Sequence, residues 1–139
     1  MLNPYYITGL INGDGIFTYT QMGGNVYPYF AVKGSTADTV LLEKVRQFFG
    51  GAGAIYKTRS TTLLKVFRMG ELMKLVWHFG DYPLEGKKAA SFKVWKEMVM
   101  LKAVNRRSDW GRLHKLAEDL TKVNGGKKKK PRKGKVTRP

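Results

Sequence analysis

The chain has 139 residues, contains no cysteine and carries 26 Lys or Arg against 10 Asp or Glu. This length fits one domain with a single core, and the lack of cysteine excludes disulfides and thiolate metal sites and fits a reducing compartment. The formal net charge of +16 favours a polyanionic partner, of which nucleic acid is the commonest.

No apolar run approaches the ~20 residues of a membrane span, and no basic flank leads into an apolar segment at the start of the chain. We therefore expect no membrane partner and no presequence, so that a protein working in an organelle would be encoded there. Eight of the positive charges lie in residues 127–139, which contain no acid, and residues 1–126 keep a net charge of +8. We expect a domain over 1–123 and a basic, disordered tail over 124–139 that clamps DNA unspecifically or only aids solubility.

The first predicted helix begins after Asn3, whose side chain can cap it, with Pro4 in the first helical position. Gly9 inside the helix costs about 1 kcal/mol relative to Ala. The spacing of Gly9 and Gly13 leaves one helix face without side chains, so a second helix can approach closely. If that helix belongs to a second copy of the chain, two Asp14 carboxylates converge and need a cation between them.

Period-two alternation predicts a strand after residue 15 and a returning strand over 26–33, joined by a Gly-Gly-Asn turn. Pro28 in the second strand favours an edge position or a bulge. A second strand pair is predicted over 54–58 and 62–67. Helical patterns cover 40–49, 71–79, 87–104 and about 109–123, which together predict an α+β domain with one antiparallel sheet, a core over 3–103 and an extra C-terminal helix.

One face of such a sheet needs a cover of helices, whereas the other can remain wet. The residues predicted for the open face carry hydroxyl, aromatic and cationic groups, which suit major-groove base edges and phosphates. For any of them alone, a solvated sheet face is the alternative. The predicted DNA-binding residues are Thr18, Thr20, Tyr27, Tyr29, Lys33, Tyr56, Thr58 and Lys65.

Residues 7–15, Ile-Thr-Gly-Leu-Ile-Asn-Gly-Asp-Gly, resemble the LAGLIDADG motif of homing endonucleases, with a departure at Asn12, where the motif has its first Asp. Residues 48–55 resemble the family's Phe-Gly-x-Gly-x-Ile turn with one extra residue, and residues 82–88 resemble its Tyr-Pro-Leu-x-x-Lys-Lys stretch. The resemblance implies an αββαββα fold in which a saddle-shaped, four-stranded antiparallel sheet straddles double-stranded DNA. Because only one motif is present, it also implies a homodimer, with Gly9, Gly13 and Tyr6 at the interface.

The resemblance assigns Asp14 to metal binding and catalysis. Carboxylate, carbonyl and water are the ligands that Mg²⁺ prefers, so Asp14 and the Gly13 carbonyl of each subunit could hold the ions of a two-metal phosphodiester hydrolysis. Lys88 aligns with the family's active-site lysine, which polarises the water or the phosphate; Lys87 is a rival for the alignment, and a solvated helix-start lysine is the alternative. A polar residue that the family often places after the second strand falls on Gly34, which favours weak or absent cleavage.

The sequence therefore predicts a Mg²⁺-dependent, homodimeric endonuclease that makes a double-strand break in a long, near-palindromic target and promotes mobility of an intron or intein. An intron RNA maturase, a catalytically inactive DNA-binding protein and a half-length fragment of a two-motif enzyme are the alternatives. The predicted location is a mitochondrion or chloroplast, with a prokaryotic or phage origin left open. His78 and His114 are isolated, and we expect them at the core edge or surface instead of at a metal.

Overall fold

A computed structural model describes residues 2–104 and 109–126, so most of the predicted tail lies outside the described residues. The architecture is α+β, with the predicted order αββαββα followed by two further helices. A short 3₁₀ turn, Thr36–Asp38, precedes the second helix. The elements are α1 (Pro4–Asp14), β1 (Gly15–Met22), β2 (Asn25–Ser35), α2 (Thr39–Phe48), β3 (Ala54–Lys57), β4 (Thr61–Val66), α3 (Met69–Asp81), α4 (Gly86–Val104) and α5 (Trp110–Val123).

Helix α1 begins as the sequence predicts, because the Asn3 side chain accepts a hydrogen bond of 2.7 Å from the Tyr5 N–H and Pro4 occupies the first turn. The helix passes directly into β1 at Gly15. A Cβ atom there would lie 2.5 Å from Ile11 Cγ2, so this close junction requires glycine. Asn12, where the sequence departs from the motif, makes a contact at the end of the helix. Its side-chain oxygen accepts the Glu85 N–H at 2.9 Å, just before α4.

The four strands form one antiparallel sheet in the order β1-β2-β4-β3. The strand that contains Pro28, β2, is an inner strand of the sheet, although the sequence predicts an edge position or a bulge for this residue. Pro28 nevertheless pairs only with Tyr19 of β1, because pairing with β4 begins at Phe30. Its missing N–H therefore interrupts no bond between β2 and β4.

The helices cover one face of the sheet and enclose the core, in which Trp95 of α4 is fully buried and donates its indole N–H to the Tyr29 carbonyl at 2.9 Å. Alternate residues of the strands point into this core: Phe17, Val26, Phe30, Val32, Leu64 and Val66. Two apolar residues inside the predicted helical ranges are exposed, Val40 by 68% and Met100 by 40%. Met98 and Val99 are both fully buried on α4, and Met100 lies about 200° around the helix from Met98, so it points away from the core.

Helix α5 packs against α4 and closes one side of the domain beside β1. The Thr121 hydroxyl lies 2.9 Å from the Tyr19 hydroxyl, and the Asn124 side chain donates to the Phe17 carbonyl at 3.0 Å. Ser91 of α4 in turn donates to Asn124 at 2.6 Å. Because β1 is an edge strand, these contacts provide a partner for a backbone carbonyl at the sheet edge.

Among the residues that the structure describes, every helix is too short or too polar to span a membrane.

Candidate active site and nucleic-acid interface

An open cleft of about 460 Å³ lies where α1 joins β1. Four segments distant in sequence meet there: the α1–β1 junction, the end of β2, the β3–β4 turn and the first turn of α4. The cleft brings together Gly13, Asp14, Lys33, Gly34 and Lys88. Ser35, Ser60 and Thr61 add hydroxyl groups that the sequence pattern did not identify as part of a site.

Asp14 is the last residue of α1 and is exposed in this cleft. Among residues 2–104 and 109–126 it makes no hydrogen bond or ion pair, so its carboxylate is available to a ligand. The described residues contain no group of three or more His, Cys, Asp or Glu side chains that could hold a metal. One chain therefore offers a single carboxylate and the neighbouring Gly13 carbonyl, a donor set that fits a hard divalent cation only together with other oxygen ligands.

Lys88 extends from the first turn of α4 into the same cleft, where its Nζ donates a hydrogen bond of 2.7 Å to the Gly15 carbonyl. This bond places a positive charge beside the residue that follows Asp14. Lys87 is exposed, does not line the cleft, and has its Nζ 3.9 Å from the Cβ position of Gly125, beyond the end of α5. Of the two lysines that compete in the sequence, Lys88 is the one beside Asp14.

Gly34 has no space for a side chain. A Cβ atom at this position would lie 2.9 Å from Cβ and Oδ2 of Asp38. The Asp38 carboxylate is itself fixed, because it accepts the Ser35 N–H at 2.9 Å and the Ser35 hydroxyl at 3.2 Å. The bond from the Ser35 N–H is part of a capping box at the 3₁₀ turn that precedes α2. The polar residue that the family often has here is thus absent, and the local cap would have to rearrange to admit one.

The outer face of the sheet carries the residues that the alternation predicts. Thr18 pairs with Tyr29 and Thr20 with Tyr27 across β1 and β2, and Tyr56 and Lys65 lie on β3 and β4. Lys33 follows the same alternation on β2 and also lines the cleft at the end of the strand. Thr58 lies elsewhere, in the β3–β4 turn, where its hydroxyl accepts the Thr61 N–H at 3.1 Å. Their proposed DNA contacts stay predictions.

Two residues of this face were missed by the sequence reading. The Phe67 ring stacks on Tyr29 with 4.7 Å between the ring centroids, and it follows the same period-two alternation as Lys65, which could have identified it. The Lys102 Nζ lies 4.4 Å from the centre of the Tyr27 ring. Lys102 belongs to α4, so its approach to the sheet depends on helix packing and has no local sequence signal.

The residues predicted to form a dimer interface lie on the exposed side of α1. Nothing lies within 4 Å of a Cβ atom placed on Gly9 or Gly13, and Tyr6 is 48% exposed. Next to them, the 70% exposed Tyr5 packs edge-on against Tyr82 with ring centroids 4.9 Å apart. This side of the helix has room for another helix at short distance, and its role in association stays a prediction.

His78 lies at the edge of the core and His114 near the surface on α5, which are the locations that the sequence predicts. His78 is buried on α3 with its Nε2 3.1 Å from the Thr8 hydroxyl, which donates its own hydrogen to the Tyr82 carbonyl at 2.8 Å. His78 therefore donates to Thr8 through Nε2 and links α3 to α1. Burial lowers its pKa, while the Asp81 carboxylate and a backbone hydrogen bond to Pro4 oppose the shift.

We expect the free energy of unfolding to decrease as the pH falls below about 6.5, the ordinary histidine pKa. The unfolded chain takes up a proton there that His78 resists in the folded state, so stability is full above this pH and is lost below it. Urea unfolding at pH 8 and pH 5.5 measures the effect, with His78→Gln expected to reduce the pH dependence. Equal pH dependence in the variant and the unmodified protein would contradict this account.

A family model described as LAGLIDADG endonuclease matches residues 7–99. The chain belongs to this family. Among curated proteins, the Probable intron-encoded endonuclease 3 of Neurospora crassa is 31% identical over 109 residues, which is 72% of this chain and 20% of that protein. The chain spans 20% to 36% of the length of four curated relatives that it matches.

Solved structures give the same fold. I-SmaMI, bound to an uncleaved DNA target in the presence of calcium ions, is similar with a TM-score of 0.81 and 25% identity, covering 93% of this chain and 47% of that chain. The homing endonuclease I-TnaI is similar with a TM-score of 0.79 and 25% identity, covering 91% of this chain and 90% of that chain. The fold thus matches about half of the I-SmaMI chain and nearly all of the I-TnaI chain.

Proposed function

We propose that this protein is a site-specific DNA endonuclease that acts as a homodimer, requires Mg²⁺ and makes a double-strand break in a long, near-palindromic target. The observation that carries the proposal is Asp14: an exposed carboxylate without a partner among the described residues, at the end of α1, in a cleft shared with Lys88. An isolated acid at the negative end of a helix is locally unfavourable by roughly 0.3–1 kcal/mol. A cation bound at this position would offset that cost.

The outer face of the sheet is the proposed DNA-binding surface. Its hydroxyl, aromatic and cationic side chains can contact base edges and phosphates, and the net charge of +8 on residues 1–126 attracts the DNA backbone. I-SmaMI, which has this fold, is described as bound to a DNA target. The basic residues of 127–139 would add affinity without sequence preference, and the binding constant should fall with salt concentration.

The Asp14 carboxylate and the Gly13 carbonyl would hold the divalent ion together with the same groups of a second subunit and oxygens of the DNA. When bound, such an ion polarises a water for attack on phosphorus and stabilises the departing oxygen. Lys88 would orient the water or the phosphate from its position beside the Gly15 carbonyl. One Asp14 from each subunit serves one strand of the duplex, so a dimer cuts both strands.

The biological role would be the mobility of an intron or intein that contains the gene, in a mitochondrion or chloroplast. The N. crassa relative is described as intron-encoded, which supports an intron over an intein. A prokaryotic or phage source would fit the same chemistry, because neither the cleft nor the sheet depends on the compartment.

Gly34 favours a second candidate, a binding protein on the same fold that has lost catalysis, either an intron RNA maturase or an inactive DNA-binding protein. The cleft has no side chain at this position, and Asp38 occupies the space that one would need. Such a protein would keep the basic sheet face and bind its nucleic acid without cutting it.

A cleavage assay tests the proposal. The substrate is duplex DNA in which the sequences flanking this gene's intron are joined, incubated with the purified chain in Mg²⁺ or in Ca²⁺. We expect cutting of both strands in Mg²⁺ and binding without cutting in Ca²⁺. Binding in both ions with no product in Mg²⁺ would replace the endonuclease with the binding protein, and tighter binding of the folded intron RNA than of the duplex at matched salt would identify a maturase.

A further inference from the structure

A lysine near the middle of the outer sheet face is held between two tyrosine rings. The Lys65 Nζ lies 5.9 Å from the centre of the Tyr29 ring and 5.5 Å from the centre of the Tyr56 ring. Both distances are within the range in which an ammonium is attracted to an aromatic face. Lys65 belongs to β4, which has a neighbouring strand on each side.

The register explains why both rings reach the same lysine. Lys65 pairs with Ala31 on β2 and with Ala54 on β3, and these small residues leave room above the sheet on both sides. Tyr29 lies two residues from Ala31 and Tyr56 two residues from Ala54. Because the strands are antiparallel, the two tyrosines lie on opposite diagonals of Lys65, at a separation that aromatic and long side chains can bridge.

Neighbouring residues hold this arrangement in place without any hydrogen bond from the Lys65 ammonium. Tyr29 is fixed from below by the Trp95 bond to its carbonyl, 2.9 Å long, and from the side by the stacked Phe67 ring. Within residues 2–104 and 109–126, Lys65 forms no hydrogen bond or ion pair. Its ammonium is therefore positioned by ring faces while all three N–H groups remain free to donate.

We propose that Lys65 is a specificity-determining residue that reads one guanine in each half of the DNA target, with Tyr29 and Tyr56 as positioning residues. The inference depends on the proposed function, in which this face lies against duplex DNA. Guanine presents two acceptors, O6 and N7, in the major groove, whereas adenine presents an N–H donor beside N7 and cytosine presents a donor. An inner position on the sheet favours contact with a base edge over the phosphates at the groove walls.

Restriction of Lys65 by the rings also serves discrimination. A free lysine side chain loses rotamer freedom when it binds, and a side chain already confined by its neighbours loses less. The confined ammonium can also reach fewer hydrogen-bond acceptors on the DNA than a mobile one can. We therefore expect removal of a ring to weaken base discrimination even though the positive charge remains.

The test is a binding selection from a library of randomised duplexes, with the full chain in Ca²⁺. For the unmodified protein we expect one symmetric pair of positions at which guanine is preferred by about 5- to 150-fold. Lys65→Ala should abolish this preference at that pair alone, and Lys65→Gln should shift it toward adenine, which glutamine can contact through N6 and N7. Tyr56→Leu should weaken the same preference without changing the dependence of binding on salt.

Lys102→Ala is the matched control, because it removes one positive charge from the edge of the same face, beside the Tyr27 ring, without touching the Lys65 site. It should lower affinity for all duplexes equally and reduce the salt dependence by about one counterion. The same uniform loss in Lys65→Ala would overturn the inference and make Lys65 a phosphate contact. If the unmodified protein selects no duplex at all, the proposed DNA-binding function itself fails. If it selects duplexes and the Lys65 variants keep the same base preferences, only the inference about Lys65 fails.

Discussion

Asp14→Asn should abolish DNA cleavage while leaving the protein folded and able to bind its target. The substitution keeps the shape of the side chain and removes the charge that a divalent cation requires, so we expect the cleavage rate in Mg²⁺ to fall by roughly 10³-fold or more. The affinity of Asp14→Asn for DNA should equal or exceed that of the unmodified protein, because the substitution removes a negative charge near the DNA phosphates. Single-turnover cleavage and a gel-shift titration without divalent ions measure the two quantities.

The stability of this variant should change in the opposite direction to its activity. Asp14 is the last residue of α1, and a neutral side chain there removes an unfavourable interaction with the helix dipole of about 0.3–1 kcal/mol. Thermal unfolding should therefore occur at the same or a slightly higher temperature, which excludes misfolding as the cause of lost activity.

Asp119→Asn is the matched control for Asp14→Asn. Asp119 lies on α5 and pairs with Lys115 at 3.5 Å on the surface, an arrangement that contributes about 0.3–0.5 kcal/mol at most. Its removal should leave cleavage unchanged. A cleavage rate for Asp14→Asn within tenfold of the unmodified protein would remove Asp14 from the chemistry and with it the proposed metal site.

The period-two pattern was sufficient to predict which strand residues face outward, because the pleat forces alternation wherever one face is buried. Thr18, Tyr29 and Lys65 lie on the face that was predicted for them. The pattern could not predict that Lys65 is bracketed by two rings. That arrangement depends on the register between β2, β3 and β4, which the turns and the core fix together.

The cleft was only partly predictable. The motif identified Asp14, and the later lysine pair suggested Lys88, yet only the packing of α4 against the α1–β1 junction distinguishes Lys88 from Lys87. Likewise the sequence showed that Gly34 lacks a side chain but not that Asp38 fills its space. Contacts between segments far apart in the chain carry this information, and no local pattern encodes them.

Gly9→Leu should stabilise the single chain and prevent its association. Gly9 is inside α1, and nothing lies within 4 Å of a Cβ atom placed there. Within one chain the substitution only replaces a poor helix former with a good one, a gain of about 0.5–1 kcal/mol. In a homodimer built on this helix face, the added side chain separates the two helices and weakens their contact.

Symmetry doubles the weakening of the contact between the two helices, because each subunit contributes one leucine to it. Overpacking costs about 1–3 kcal/mol per inserted side chain, so the dimer loses roughly 2–6 kcal/mol and its Kd rises by about 30-fold to 10⁴-fold. Sedimentation at micromolar concentration measures association, and urea unfolding at concentrations where the variant is monomeric measures stability. Cleavage should be lost together with the dimer, since each chain holds one Asp14.

Gly111→Leu provides the control, because Gly111 lies on α5, is exposed, and also has nothing within 4 Å of its Cβ position. It should leave association and cleavage unchanged. If Gly9→Leu associates as strongly as the unmodified protein, α1 is not the interface. If the unmodified protein is already a monomer at micromolar concentration, the homodimer itself is wrong. The second carboxylate needed to cut both strands would then have to come from a second motif outside this chain.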